Sequence, residues 1–175
     1  MKRLIFPIIC FLILCASCKK NKEVVPVGTI SANIGGVNMN FNVSAMGSYS
    51  VPASSTSNQL NIDGNINAAN SPGIGLVIDM VNGGAITTGT YTVTPPSQNA
   101  PIQIAADYYY VVPAQSPHVQ YFVTDPNGVK PFTITITSIS STNVQGTFSG
   151  TLIDPGDPTA LETVTNGKFN VAIKN

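Results

Sequence analysis

His118 is the only histidine in the chain, and it stands in Ser116-Pro117-His118-Val119-Gln120 with no motif that would put it to work. A serine hydrolase elbow (Gly-x-Ser-x-Gly), a zinc-protease His-Glu-x-x-His and a glycine-rich phosphate loop are all missing from its neighbourhood. Carboxylates are the other source of acid-base chemistry. A glycosidase-like pair needs two of them about 5 to 9 Å apart, and Asp63, Asp79 and Asp107 come from separate predicted strands that a fold can bring together. Asp63 alternates with asparagines on a polar face, which predicts a solvated carboxylate. Asp79 interrupts the apolar run Gly73 to Val81, where a charge is costly unless bonded or paired. The turns Asp125-Pro-Asn-Gly and Asp154-Pro-Gly-Asp157 offer oxygen ligands, but neither approaches the six to eight that calcium takes, and Asx-turn chemistry accounts for both. We therefore assign no catalytic residue, no metal ligand and no cofactor, and expect a non-enzymatic protein.

Binding chemistry is better represented. Tyr108, Tyr109 and Tyr110 are consecutive, so in a strand neighbouring rings point to opposite faces. With Tyr108, Tyr110, Val119, Tyr121 and Val123 facing the core, Asp107, Tyr109, Gln120 and Phe122 face outward, with His118 on the same side as Gln120 and Phe122. Aromatic rings beside amide and carboxylate groups are the mixture that stacks on and hydrogen-bonds to sugars or peptides. The candidate binding residues are thus Asp107, Tyr109, His118, Gln120 and Phe122. The alternative for the same residues is a cross-strand aromatic pair that only stabilises the sheet.

Positioning these side chains falls to strands. Ile30, Ala32 and Ile34 alternate with Thr29, Ser31 and Asn33, and after Gly35-Gly36 the apolar set resumes at Val37, Met39, Phe41 and Val43, which predicts a β-hairpin. Leu60, Ile62 and Ile66, then Phe132, Ile134 and Ile136, then Phe148 and Leu152, then Phe169, Val171 and Ile173 repeat the period of two. Gly73 to Val81 is apolar on both sides apart from Asp79, the pattern of a strand covered on both faces. Gly, Pro, Asn and Asp clusters separate the runs, and no stretch has helical periodicity. The expectation is an all-β fold: a single antiparallel β-sandwich or flattened barrel of about eight to ten strands.

The start of the chain carries a different kind of information. Lys2 and Arg3 precede an apolar run from Leu4 to Leu14, and Ala16-Ser17 stand immediately before Cys18. This reads as an export signal over residues 1–17 with Cys18 as the lipidated residue, followed by a tether over 18–26 and an all-β domain over 27–175. Eleven apolar residues broken by Pro7 fall well short of the roughly 20 that span a bilayer. Cys10 and Cys15 belong to the signal, so the domain holds no cysteine and must be stabilised by burial without disulfides. Over 27–175, three lysines (Lys130, Lys168, Lys174) face seven carboxylates, a net charge of −4 that excludes a nucleic-acid partner. Lys19, Lys20 and Lys22 suit anionic lipid headgroups beside the anchor.

The hairpin Ile30-Ser-Ala-Asn-Ile-Gly-Gly-Val-Asn-Met-Asn-Phe41, the phrase Gly89-Thr-Tyr-Thr-Val93, the stretch Phe132 to Leu152 and the closing Thr165-Asn-Gly-Lys-Phe-Asn-Val171 resemble a family of small Bacteroidota lipoproteins with a domain of unknown function. The resemblance implies a β-rich lipoprotein of the cell envelope, held in the outer membrane on its periplasmic face or at the cell surface. It carries over no activity. The expected function is a lipid-anchored binding module for a glycan or an envelope protein, the alternatives being a barrel carrying a small apolar ligand or a hydrolase.

Overall fold

A computed structural model describes residues 26–50, 57–68, 72–93, 100–113 and 119–174. Eleven strands and no helix occur among them: β1 (Thr29–Ile34), β2 (Val37–Asn40), β3 (Val43–Ser50), β4 (Asn58–Asn65), β5 (Gly73–Met80), β6 (Gly89–Thr92), β7 (Ile102–Val111), β8 (Val119–Thr124), β9 (Phe132–Ile139), β10 (Asn143–Ile153) and β11 (Leu161–Lys174). The all-β expectation holds, with one strand more than the upper end of the expected range.

All eleven belong to one hydrogen-bonded sheet, in the order β2-β1-β11-β3-β4-β5-β7-β8-β10-β9-β6, with β10 also paired to β11. That extra pairing makes the ladder return on itself through β11, β3, β4, β5, β7, β8 and β10. The pairs are antiparallel with one correction to the expected pattern: β11 meets β3 in parallel at Ile173–Gly47 and Lys174–Ser48. The predicted hairpin forms, with Ile34 opposite Val37 and both turn glycines at positive φ, the conformation a two-residue hairpin turn requires.

Strand alternation sorts the side chains as the sequence implies. Ile30, Leu60, Ile62, Leu76, Ile78, Phe132, Ile134, Ile136, Leu152, Phe169 and Val171 are buried together in one cluster. Burying each large apolar side chain supplies about 1.5 to 3 kcal/mol. The packing between β10 and β11 depends on reciprocal glycines: Gly146 faces Phe169 and Gly167 faces Phe148 across the ladder. A β-carbon on Gly167 would come 2.6 Å from Cδ2 of Phe148, so only a bare α-carbon lets the ring lie against the strand. The two phenyl rings then stack with centroids 6.4 Å apart.

Candidate functional site

The outward face of β4, β5, β7 and β8 gathers the polar groups. Antiparallel register aligns Asp63, Gly75, Asp107 and Val123 in one row across these strands, and Asn65, Gly73, Tyr109 and Tyr121 in the next. Glycine at both β5 positions leaves two bare strips into which the flanking side chains lean. The Tyr109 ring lies over Gly73 and its hydroxyl donates to Oδ1 of Asn65 at 2.9 Å. A β-carbon on Gly75 would lie 2.5 Å from Oδ1 of Asp107 and 3.3 Å from Oδ1 of Asp63, so the two carboxylate oxygens are within about 6 Å of each other.

This geometry explains the burial of Gly73 and Gly75. Their outer side is covered by a tyrosine and two carboxylates, where the apolar run had suggested a second packed layer.

Two acids stand side by side here, and burial and mutual repulsion set their electrostatics. Burial, and then the charge of Asp63, push the Asp107 carboxyl up to about 6. Burial raises Asp63 as well: the residue as a whole is exposed, but its carboxyl end is turned toward Gly75. The Tyr109 hydroxyl is raised by burial first and by Asp107 and Asp63 next, and that of Tyr121 by burial, then Asp107 and Tyr109. Near neutral pH the face therefore presents hydrogen-bond acceptors, one of them close to its midpoint of protonation, beside two phenols and an amide.

Two of the five expected binding residues, Asp107 and Tyr109, meet on this face. Phe122 does not, and its expected orientation is corrected: it pairs with Tyr108, is 5% exposed, and stacks against Tyr108 and Tyr110 inside the sheet. The register of β8 on β7 dictates this, because residues opposite each other in a ladder share a face. Tyr121, expected inside, is the exposed ring opposite Tyr109, at 43% exposure. Gln120 shares the face of Phe122, and its amide donates to Oδ2 of Asp154 at 2.6 Å, away from Asp107. His118 and Cys18 lie outside the described residues.

The remaining acids have separate surroundings. Asp79 sits between Gln59 and Gln103 on the same outward face, and its Oδ1 is shielded from solvent with no hydrogen-bond partner among the described residues. Asp125 is buried, and its carboxylate accepts from the backbone N–H groups of Asn127, Val129 and Lys130, which orders the turn and holds its pKa below the usual carboxylate range. No group of three or more His, Cys, Asp or Glu side chains that would hold a metal ion occurs among the described residues.

A second feature was not read from the sequence. A groove of about 620 Å³ opens beside the β1–β2 turn, lined by Met39, Tyr108, Tyr110, Val111 and Pro113, with Glu162 as the one charged group among the described residues that line it. Tyr108 and Tyr110 reach it from the inward side of β7, while Tyr109 serves the outward face, so alternate residues of one strand supply both places. Neither Asp63 nor Asp107 lines this groove or the two smaller clefts near Asp125. No helix among the described residues is long and apolar enough to cross a membrane. No protein-family model matches the chain, and neither the curated proteins nor the solved structures include a significant match to it.

Proposed function

We propose that the protein is a non-enzymatic binding module of the cell envelope, tethered to a membrane by a lipid on Cys18, which takes a glycan on the outward face of β4, β5, β7 and β8. The observation that carries the reading is the convergence of Asp63, Asp107, Asn65, Tyr109 and Tyr121 around Gly73 and Gly75. Adjacent carboxylates accept from vicinal hydroxyls, the amide and phenols add directional bonds, and the exposed Tyr121 ring offers a flat apolar surface to the C–H face of a sugar. Among the described residues no cation shifts either carboxyl, which leaves their acceptor sites to a neutral, hydroxyl-rich ligand.

Hydrolysis is the second reading, favoured by the proximity of the two carboxyls and the raised pKa of one, since retaining glycosidases hold their pair about 5 to 5.5 Å apart. Against it stands the position of the pair on a sheet face: neither carboxyl lines the groove beside the β1–β2 turn or the two smaller clefts near Asp125, and hydrolysis calls for a cleft that closes over the sugar. One experiment separates the two. The purified protein is incubated with an array of envelope and host oligosaccharides, and both retention and product are measured. Retention without cleavage, lost in Tyr121→Ala, supports the binding module; reducing-end release that disappears in Asp107→Asn would replace it with the hydrolase.

A further inference from the structure

The groove beside the β1–β2 turn has a composition unlike the outward face and a chemistry of its own. Its volume of about 620 Å³ lies in the range of small-molecule sites. Met39 provides an adaptable apolar wall and Tyr108 and Tyr110 provide rings, with centroids 5.7 Å apart.

Two polar groups there are poorly matched by the protein itself. The Tyr108 hydroxyl donates to Sδ of Met39 at 3.5 Å, a weak acceptor, and burial together with the nearby charges of Glu162 and Tyr110 pushes its pKa up to about 12. Glu162 packs so closely on the turn that a β-carbon on Gly35 would stand 2.6 Å from its Oε2. Burial raises its pKa, and no cation among the described residues lowers it. A carboxylate drawn partly out of water without a counter-charge, at the edge of an apolar groove with tyrosine rings, is complementary to one kind of group. That group is an ammonium on a hydrocarbon body, which gains from the carboxylate and from the ring faces together.

We propose that this groove binds a small amphipathic amine, with its ammonium at Glu162 and its apolar part against Met39, Tyr108 and Tyr110. The site is independent of the glycan face: it uses the inward residues of β7 and none of the groups assigned above.

The test uses three matched probes, dodecylammonium, dodecanol and dodecanoate, each below its micelle concentration. Their dissociation constants for the full-length protein are measured by titration calorimetry, and backbone amide shifts report where they sit. Dodecylammonium should bind at least tenfold more tightly than dodecanoate, with shifts at residues 37–39, 108–111 and 162. Glu162→Gln, which keeps the shape, should bring the amine to within about twofold of the alcohol. Met39→Ala should weaken amine and alcohol alike, while Tyr121→Ala should change none of the three. Equal binding of all probes, preference for the carboxylate, binding of none, shifts mapping elsewhere, or sedimentation showing that a second copy of the chain occupies the groove would each overturn the proposal.

Discussion

Asp63 and Asp107 approach each other across Gly75, where β5 lends no side chain to keep them apart. The relationship is built from backbone register: three adjacent strands bring acid, glycine and acid into one row, and antiparallel pairing holds them there. Its consequences are electrostatic, steric and functional, and each can be measured.

The electrostatic consequence concerns stability against pH. Asp107 in the folded protein binds its proton more tightly than in the unfolded chain, with a pKa raised from 3.8 to about 6. The stability this contributes is full below about pH 4 and is lost as pH rises through about 6. Asp107→Asn should therefore remove the loss: the variant gains about 1 kcal/mol relative to the parent at pH 7.5, after discounting for solvent at a partly exposed site, and little at pH 4. Urea unfolding at the two pH values measures the difference.

Protonation also removes an acceptor from the face proposed to take a glycan. Affinity for a neutral oligosaccharide should fall as pH drops from 7 to 5, with a midpoint near 6 set by Asp107, and Asp107→Asn should bind weakly at both pH values. Calorimetric titration at five pH values reads this directly.

Gly75→Ala separates the site from the fold. The new β-carbon would meet the end of the Asp107 side chain, which is free to rotate away, so stability should change by less than about 1 kcal/mol while glycan retention falls at least tenfold. Gly146→Ala provides the contrast, because its β-carbon meets the Thr135 carbonyl and the Phe169 ring, neither of which can yield. That variant should lose about 3 kcal/mol or more and shift the thermal midpoint by several degrees.

Tyr121 and Phe122 are neighbours in sequence with opposite assignments. Phe122→Ala should cost about 3 to 5 kcal/mol by emptying the space beside Tyr108 and Tyr110. Tyr121→Ala should leave the thermal midpoint within about 2 °C and abolish glycan retention. Differential scanning calorimetry on the two variants tests the orientation of β8.

The fold was legible where one face is apolar and the other is not. Ile30-Ala32-Ile34, Phe132-Ile134-Ile136 and Phe169-Val171-Ile173 announce both strand and facing by their alternation, and all nine side chains are buried. Strand β8 was not legible in the same way. Val119, Tyr121 and Val123 make as good an apolar row as Phe122 with its neighbours, and only pairing with β7 decides between them. Two of the candidate site residues, Asp107 and Tyr109, followed from the tyrosine run. Asn65 and Tyr121 did not, because they reach the site through register, across 44 residues in the case of the Tyr109–Asn65 bond. The glycines of β5 held the missing signal: Gly73 and Gly75 at alternate positions of an otherwise bulky strand mark the bare strip over which neighbours close.

The proposed glycan face is tested most directly by mapping backbone amide shifts of the labelled protein during titration with any oligosaccharide retained from the array. Saturable shifts concentrated at Asp63, Asn65, Gly73, Gly75, Asp107, Tyr109 and Tyr121 are expected, with the sugar recovered intact. Failure to retain any oligosaccharide, shifts confined to other strands, or recovery of cleaved sugar would contradict it.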